Sequence, residues 1–401
     1  MERLFEVLLR WARKGWLVAG GGLIFLLLLE LAANLSLRVL GPRGDFDLPP
    51  GAPVIWHEQG SSRQIWRPYV YWRTEARSGP VMNIDADGLR RTWGESGDGR
   101  PRLRVFMFGA STLRGYHVRD DFTIPSFVAK LLARELTMPV EVVNFGQLGY
   151  VSTQDVIALA LEVRRGNVPD VAVFYNGTVD IESTHDGNAP GSPRWEYQRR
   201  NAFHDFERAL ALRIARRSSL AQLVLNYVPG WSWALGDVGS ARESPAVTER
   251  LARETLEVYA GNLRLADALA QEYGFDILYF WQPVVWSRDE MTPYEAAVAK
   301  VDAHRDPGRA ELFREVYRQA ALHPELAAHP RFFDLRDAAD GAEEPPFWDP
   351  THTTEAGNEW IAEKIAVPLR SVIERRLARG PALGSDSRGE LSRGTGKIGS
   401  E

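Results

Sequence analysis

An α/β fold, with a parallel sheet and helices on both faces, is what this sequence predicts on three observations. Short apolar runs recur at Leu103–Phe108, Val140–Phe145 and Val171–Tyr175; helix-length segments separate them; turn-forming or polar residues follow directly on their carboxyl ends. In such a sheet the functional groups gather beyond the carboxyl ends of the strands.

Taken from the start, residues 16–40 are almost wholly apolar, interrupted only by Glu30 and Asn34, and are long enough to span a bilayer, which needs ~20 residues. Arg3, Arg10, Arg13 and Lys14 precede the run, so the positive-inside rule puts residues 1–15 in the cytoplasm and the rest of the chain outside it. This predicts a single-pass signal anchor in the cell inner membrane, with the main domain facing the periplasm or exterior. A cleaved signal peptide, with Leu31-Ala32-Ala33 as a poor cleavage site, and a buried core helix are the competing readings. Glu30 lies toward the outer end of the run, where snorkelling or protonation softens its cost.

Residues 41–100 are rich in Gly, Pro, Arg and aromatics and lack a helical period, so they read as an irregular extension of short strands and loops. The main domain spans 101–378. Its strand at Leu103–Phe108 ends in Gly109-Ala110-Ser111; a helix follows over about 122–136, then the strand 140–145, a helix over 152–165 and the strand 171–175. The pattern breaks at about 182–249, where an amphipathic stretch from Phe203 to Tyr227 suggests an inserted helical cap. Alternation resumes with a helix over 245–273, a strand over 275–280, a helix near 310–322, a short strand at 332–335 and a last helix over 354–378. The tail, 379–401, is nearly free of apolar residues and reads as disordered.

Composition narrows the function. Hydrophobic residues make up 44% and charged residues 25%, which suits a chain with a genuine core. A net charge of −5 offers no footprint for a phosphate backbone, so nucleic acid is not an expected partner. The absence of Cys excludes disulfides, thiolate metal sites and a cysteine nucleophile. His117 and His185 lack spaced carboxylate partners and read as surface residues, and His304, His323 and His329 lack metal-ligand spacing. No metal or organic cofactor is expected. Trp195, Trp281, Trp286 and Trp348 fit either core and cap packing or the lining of a sugar-binding cleft, and Gln282-Pro283 after the fourth strand fits either that cleft or an ordinary strand exit.

Two features carry chemistry. Ser111 stands at a strand's carboxyl end, where its hydroxyl would be exposed as a nucleophile. Far downstream, Asp349-Pro350-Thr351-His352 sets a carboxylate three residues before an imidazole, close enough to orient the ring and stabilise the imidazolium formed when His352 takes a proton from Ser111. Each half has a bland alternative, a plain turn and a capping arrangement. Together they fall on the first and last parts of one α/β unit.

With these residues in view, about 84–375 of the chain resembles the SGNH, or GDSL-like, hydrolases, a flavodoxin-like esterase family with a three-layer parallel sheet. Phe108-Gly109-Ala110-Ser111-Thr112 looks like the nucleophile block in the form common in bacterial membrane-anchored members. Asn144-Phe145-Gly146-Gln147-Leu148-Gly149-Tyr150 is similar to the second block, whose last glycine supplies an oxyanion-hole amide, and Asp349-Pro350-Thr351-His352 to the final block. Asn83–Arg90 resembles the segment preceding the nucleophile strand in those anchored relatives. The third block departs: Tyr175-Asn176-Gly177-Thr178-Val179-Asp180 puts Val179 where an oxyanion-binding Asn belongs, and valine has no donor. Asn176 is the nearest substitute.

The resemblance implies a serine esterase with Ser111, Asp349 and His352 as its triad and the Ser111 and Gly149 amides, with Asn176, as oxyanion donors. A small-molecule or glycan acyl ester is the expected substrate, in acylated envelope or exported polysaccharide. The alternative is an impaired protein of the same fold that binds an acylated glycan or serves envelope polysaccharide assembly.

Overall fold

A computed structural model describes residues 2–40, 62–94, 102–207, 210, 217–227, 244–288, 290–342 and 344–379. The tail beyond Arg379 and much of the irregular extension lie outside these residues. The chain divides into two compact units, Met1–Leu48 with Glu196–Gly239, and Pro49–Trp195 with Ser240–Glu401.

The larger unit is built on a five-stranded, wholly parallel sheet of β3 (Leu103–Gly109), β4 (Val140–Asn144), β5 (Val171–Asn176), β6 (Asp276–Trp281) and β7 (Phe332–Asp334), in the spatial order β4-β3-β5-β6-β7. That is the flavodoxin-like order, with the chain reversing direction of travel between β3 and β5. Both faces are covered, which is why β5 is apolar and buried along its whole length rather than alternating. On one face Val105, Met107, Val173 and Phe280 pack against α3 (Ile124–Glu135) and α12 (Glu355–Arg379). On the other, Phe106, Phe108, Phe174 and Tyr279 pack against α4 (Ser152–Arg164), α8 (Pro245–Tyr273) and α10 (Pro307–Ala320).

The expected strands and helices are found to within a few residues, and helices that were not expected lie between them. A helix, α9 (Pro293–Arg305), precedes α10 and was not expected. Its start carries a capping box, Thr292 Oγ1 accepting from the Glu295 amide and the Glu295 carboxylate accepting from the Thr292 amide at 2.8 Å.

The described part of the extension forms an antiparallel hairpin, β1 (Gln64–Arg67) and β2 (Tyr71–Thr74), and a loop over 75–94. The loop joins the sheet through a bridge between Arg90 and Asn144. The hairpin is fastened to the turn after β4. Trp72 Nε1 donates to Leu148 O at 2.8 Å, the Tyr150 hydroxyl donates to Trp72 O, and Gln147 takes the Thr74 amide at 3.0 Å.

In the smaller unit, α1 (Glu2–Leu40) contains one stretch, Arg13–Ser36, long and apolar enough to cross a membrane. Within it, Glu30 and Asn34 both find partners at the start of α7 (Ser219–Tyr227). Glu30 accepts from Ser218 Oγ at 2.7 Å and from the amides of Ser219 and Leu220, while Asn34 Nδ2 donates to Ser219 Oγ at 3.1 Å. The Glu30 carboxylate therefore caps a helix N-terminus, a stabilising placement for a negative charge. Snorkelling or protonation had been the expected remedy. The expected inserted cap is also redrawn: 182–195 belongs to the α/β unit, whereas Glu196–Gly239, including α6 (Glu196–His204), groups with the N-terminal helix.

Candidate active site

Ser111 opens α2 (Ser111–Arg114), directly past β3. Gly109 permits this turn because a Cβ there would stand 2.3 Å from Tyr175 O on the neighbouring strand. Ser111 Oγ lies 2.8 Å from His352 Nε2, although 241 residues separate them in sequence. Behind the ring, Asp349 Oδ2 takes the Nδ1 proton at 2.6 Å, and Asp349 Oδ1 accepts from the amides of Thr351 and His352, each at 2.9 Å. The carboxylate thereby holds the tautomer in which Nε2 is free to accept from Ser111. Burial alone would raise the Asp349 pKa, but the His352 ring and the two amides overcome it and hold the carboxyl well below the usual range.

The segments carrying the nucleophile and the imidazole are tied together by a residue the sequence reading had left undecided. Gln282, fully buried past the end of β6, donates from Nε2 to Thr112 Oγ1 at 3.0 Å and to Thr351 O at 3.4 Å. Thr112 Oγ1 in turn donates to Thr351 O at 3.2 Å. Arg90, from the resembling segment upstream, is buried with its guanidinium on Asp120 at 2.8 Å and on the carbonyls of Arg114 and Val118, so it fixes the turn that follows α2. Tyr116 lays its ring against His352, with centroids 4.6 Å apart; no sequence signal marked it.

His117 is not the surface residue expected. It is buried beside Tyr116 and 6.1 Å from the His352 ring, and burial first, then the neighbouring imidazole, bring its pKa down to about 3. His185 meets Asp306 at 2.7 Å and His329 meets Asp267 at 2.9 Å, so both have carboxylate partners.

Gly149 adopts φ 69°, a conformation glycine reaches freely, in the turn between β4 and α4. Neither the Ser111 amide nor the Gly149 amide has an intramolecular acceptor among the described residues. They are available donors.

Asn176 is a different matter. It continues the face of β5 that carries Ala172 and Phe174, where its Nδ2 donates to Asp155 at 3.3 Å and its Oδ1 accepts from the Tyr259 hydroxyl at 2.9 Å. The expected oxyanion role is corrected accordingly: strand parity commits this side chain to the α4/α8 side of the sheet. Val179, on α5 (Thr178–His185), packs with Ala110 and Val151 in a small buried apolar cluster beside the nucleophile turn. Asp180, next on the same helix, takes the Ser152 amide at 3.1 Å and the Ser152 hydroxyl at 2.6 Å, so it caps α4 and steadies the turn that presents Gly149. Burial raises its pKa, against the Ser152 hydrogen bonds, to about 6. Trp281 and Trp286 belong to the core rather than to a cleft, and Trp195 is exposed.

A serine hydroxyl, an oriented imidazole and a buried carboxylate on an α/β sheet, with two free amides alongside, define an arrangement suited to acyl transfer. No protein-family model matches the chain, and no curated protein matches it. Solved structures do resemble it. One from Desulfitobacterium hafniense, described as lipolytic and of the G-D-S-L family, is 11% identical, with 66% of this chain and 98% of that chain covered at a TM-score of 0.32. An acetylxylan esterase from Geobacillus stearothermophilus, in a catalytic-mutant form, is 14% identical over 67% of this chain and 94% of its own, at 0.35. A lipase from a goat-rumen metagenome is 12% identical over 67% and 97%, at 0.35. At such scores the similarity carries no argument about chemistry, which rests on the site itself.

Proposed function

We propose that this protein is a membrane-anchored serine esterase or acyl-transferring enzyme of the SGNH type. The observation that carries the reading is the unbroken chain Ser111 Oγ, His352, Asp349, at 2.8 and 2.6 Å, assembled from opposite ends of the α/β unit. Ser111 Oγ attacks the ester carbonyl while its proton passes to His352 Nε2. The Ser111 and Gly149 amides receive the oxyanion. Collapse breaks the acyl C–O bond, the departing alkoxide takes the proton from His352, and water or a sugar hydroxyl then releases the acyl group from Ser111. Asp349 stays ionised throughout and stabilises the imidazolium.

The apolar helix α1 supports an anchored protein, and the basic residues before Trp16 favour a cytoplasmic N-terminus, so the catalytic unit would face the periplasm or exterior. Acylated envelope or exported polysaccharide is then the expected substrate. Ser111→Ala is expected to abolish turnover of an aryl acetate by the full-length protein in detergent; turnover at the parent rate would remove Ser111 from the mechanism.

One observation favours a second reading, an impaired protein of this fold that binds acylated glycan. Val179, buried with Ala110 and Val151 beside the nucleophile turn, stands where the family resemblance puts a third oxyanion donor, and the loss of one such donor typically slows catalysis by ~10²–10³.

A further inference from the structure

We infer that the β1–β2 hairpin and Trp195 form an open aromatic platform that holds a carbohydrate chain alongside Ser111. The inference rests on the esterase reading only for the position of the reacting ester. Trp195 stands against the turn that carries Gly149: a Cβ on that glycine would be 3.6 Å from its ring. From there ring contacts run along the hairpin, Trp195 to Trp72 at 5.7 Å, Trp72 to Tyr71 at 6.3 Å and Tyr71 to Trp66 at 5.4 Å, with Trp72 buried in the core as the anchor and Trp195 and Trp66 exposed at the two ends of the series. The spacing is comparable to the advance per residue of an extended polysaccharide. Because Trp72 is hydrogen-bonded to Leu148, the residue before Gly149, the platform is fixed in register with the oxyanion turn.

Trp72 packs into the core, but two features of the rings around it speak against packing as their purpose. Trp66 and Trp195 are 65% and 42% exposed, and Tyr69, on the same turn, is 68% exposed. Tyr69, Tyr71 and Trp195 also hold left-handed backbone, with φ of 69°, 69° and 60°. A bulky aromatic residue there is a strained outlier, and such strain clusters at ligand-binding sites. Exposed rings such as Trp66 and Trp195, with Arg194 against the latter, suit the C–H face and hydroxyl rim of a sugar. A long acyl tail would instead require an enclosed apolar pocket. The cavity beside β4 is lined by Arg77, Asp85, Arg91 and Glu141 as well as by Leu89 and Val143, and neither Ser111 nor His352 lines it.

The test uses full-length Ser111→Ala protein in detergent, run by affinity electrophoresis through gels containing acetylated xylan, acetylated glucomannan, alginate or amylose. Retardation by at least one polymer is expected. Trp66→Ala should weaken it about tenfold, with Trp66→Tyr recovering most of the loss. Trp195→Gly, which deletes the ring yet suits the backbone, should weaken it comparably without lowering the melting temperature. Retardation by none of the polymers, or retardation unchanged in both Trp66→Ala and Trp195→Gly, would overturn the platform. So would, in protein that keeps Ser111, a preference for 4-nitrophenyl palmitate over acetate that Trp66→Ala removes, since the rings would then be holding an acyl chain. Fluorophosphonate labelling of the unmodified protein separates the two readings. A protein that labels but ignores every polymer loses the platform alone; one that does not label yet is retarded through Trp66 loses the esterase reading alone.

Discussion

Val179 has no donor to offer, yet it sits beside the nucleophile turn among Ala110 and Val151. In the proposed mechanism the two free amides of Ser111 and Gly149 would therefore carry the oxyanion without a side-chain partner. Val179→Asn is expected to raise aryl acetate turnover by about tenfold or more, approaching the ~10²–10³ that one donor supplies. The same substitution should lower stability by about 1–3 kcal/mol, because it buries an amide in an apolar cluster. A kcat unchanged in a folded Val179→Asn protein would mean that a third donor is not what limits the reaction. At this scale the meeting of Ser111 with His352 and Asp349 was legible from type and spacing, whereas Gly149 entered only through the family resemblance. Asn176 was misassigned because its nearness to the strand end was weighed without its parity: every second residue of β5 points to the same face, and Asn176 shares that of Phe174. The burial of His117 and the ring contact of Tyr116 depend on where the chain folds back, which no local pattern encodes.

Between elements, the segment after β6 serves as a strut. Gln282 bonds to both Thr112 and Thr351, one residue beyond Ser111 and one before His352. Gln282→Leu should leave the substrate KM largely unchanged while lowering kcat roughly tenfold or more, since small misplacements of reacting groups are costly. Equal kcat in parent and variant would make the strut structurally incidental. Helix α9 was missed because its apolar residues trace no clear stripe, although Thr292-Pro293-Tyr294-Glu295 is a start signal that a search for capping boxes would have found. The strand and helix alternation was legible throughout, since fully buried parallel strands appear as short unbroken apolar runs. The hairpin's attachment to the Gly149 turn was not. Its hydrogen bonds join residues more than seventy positions apart.

Across the whole molecule, alternation predicts a parallel sheet but not its strand order, and it is the order that makes the site. With β3 next to β5 and β6 beyond it, the turn after the first strand of the sheet and the loop after the last meet beyond the carboxyl ends of the strands. Within the other unit, Glu30 and Asn34 are explained by the start of α7, a partner nearly two hundred residues away. The central claim, that Ser111 is chemically activated by His352 and Asp349, is most directly tested by treating the intact protein with a fluorophosphonate and locating the adduct by mass spectrometry. Stoichiometric phosphonylation of Ser111, lost in His352→Ala, is the expected result. An unmodified Ser111 in folded protein, or labelling indifferent to His352, would contradict it.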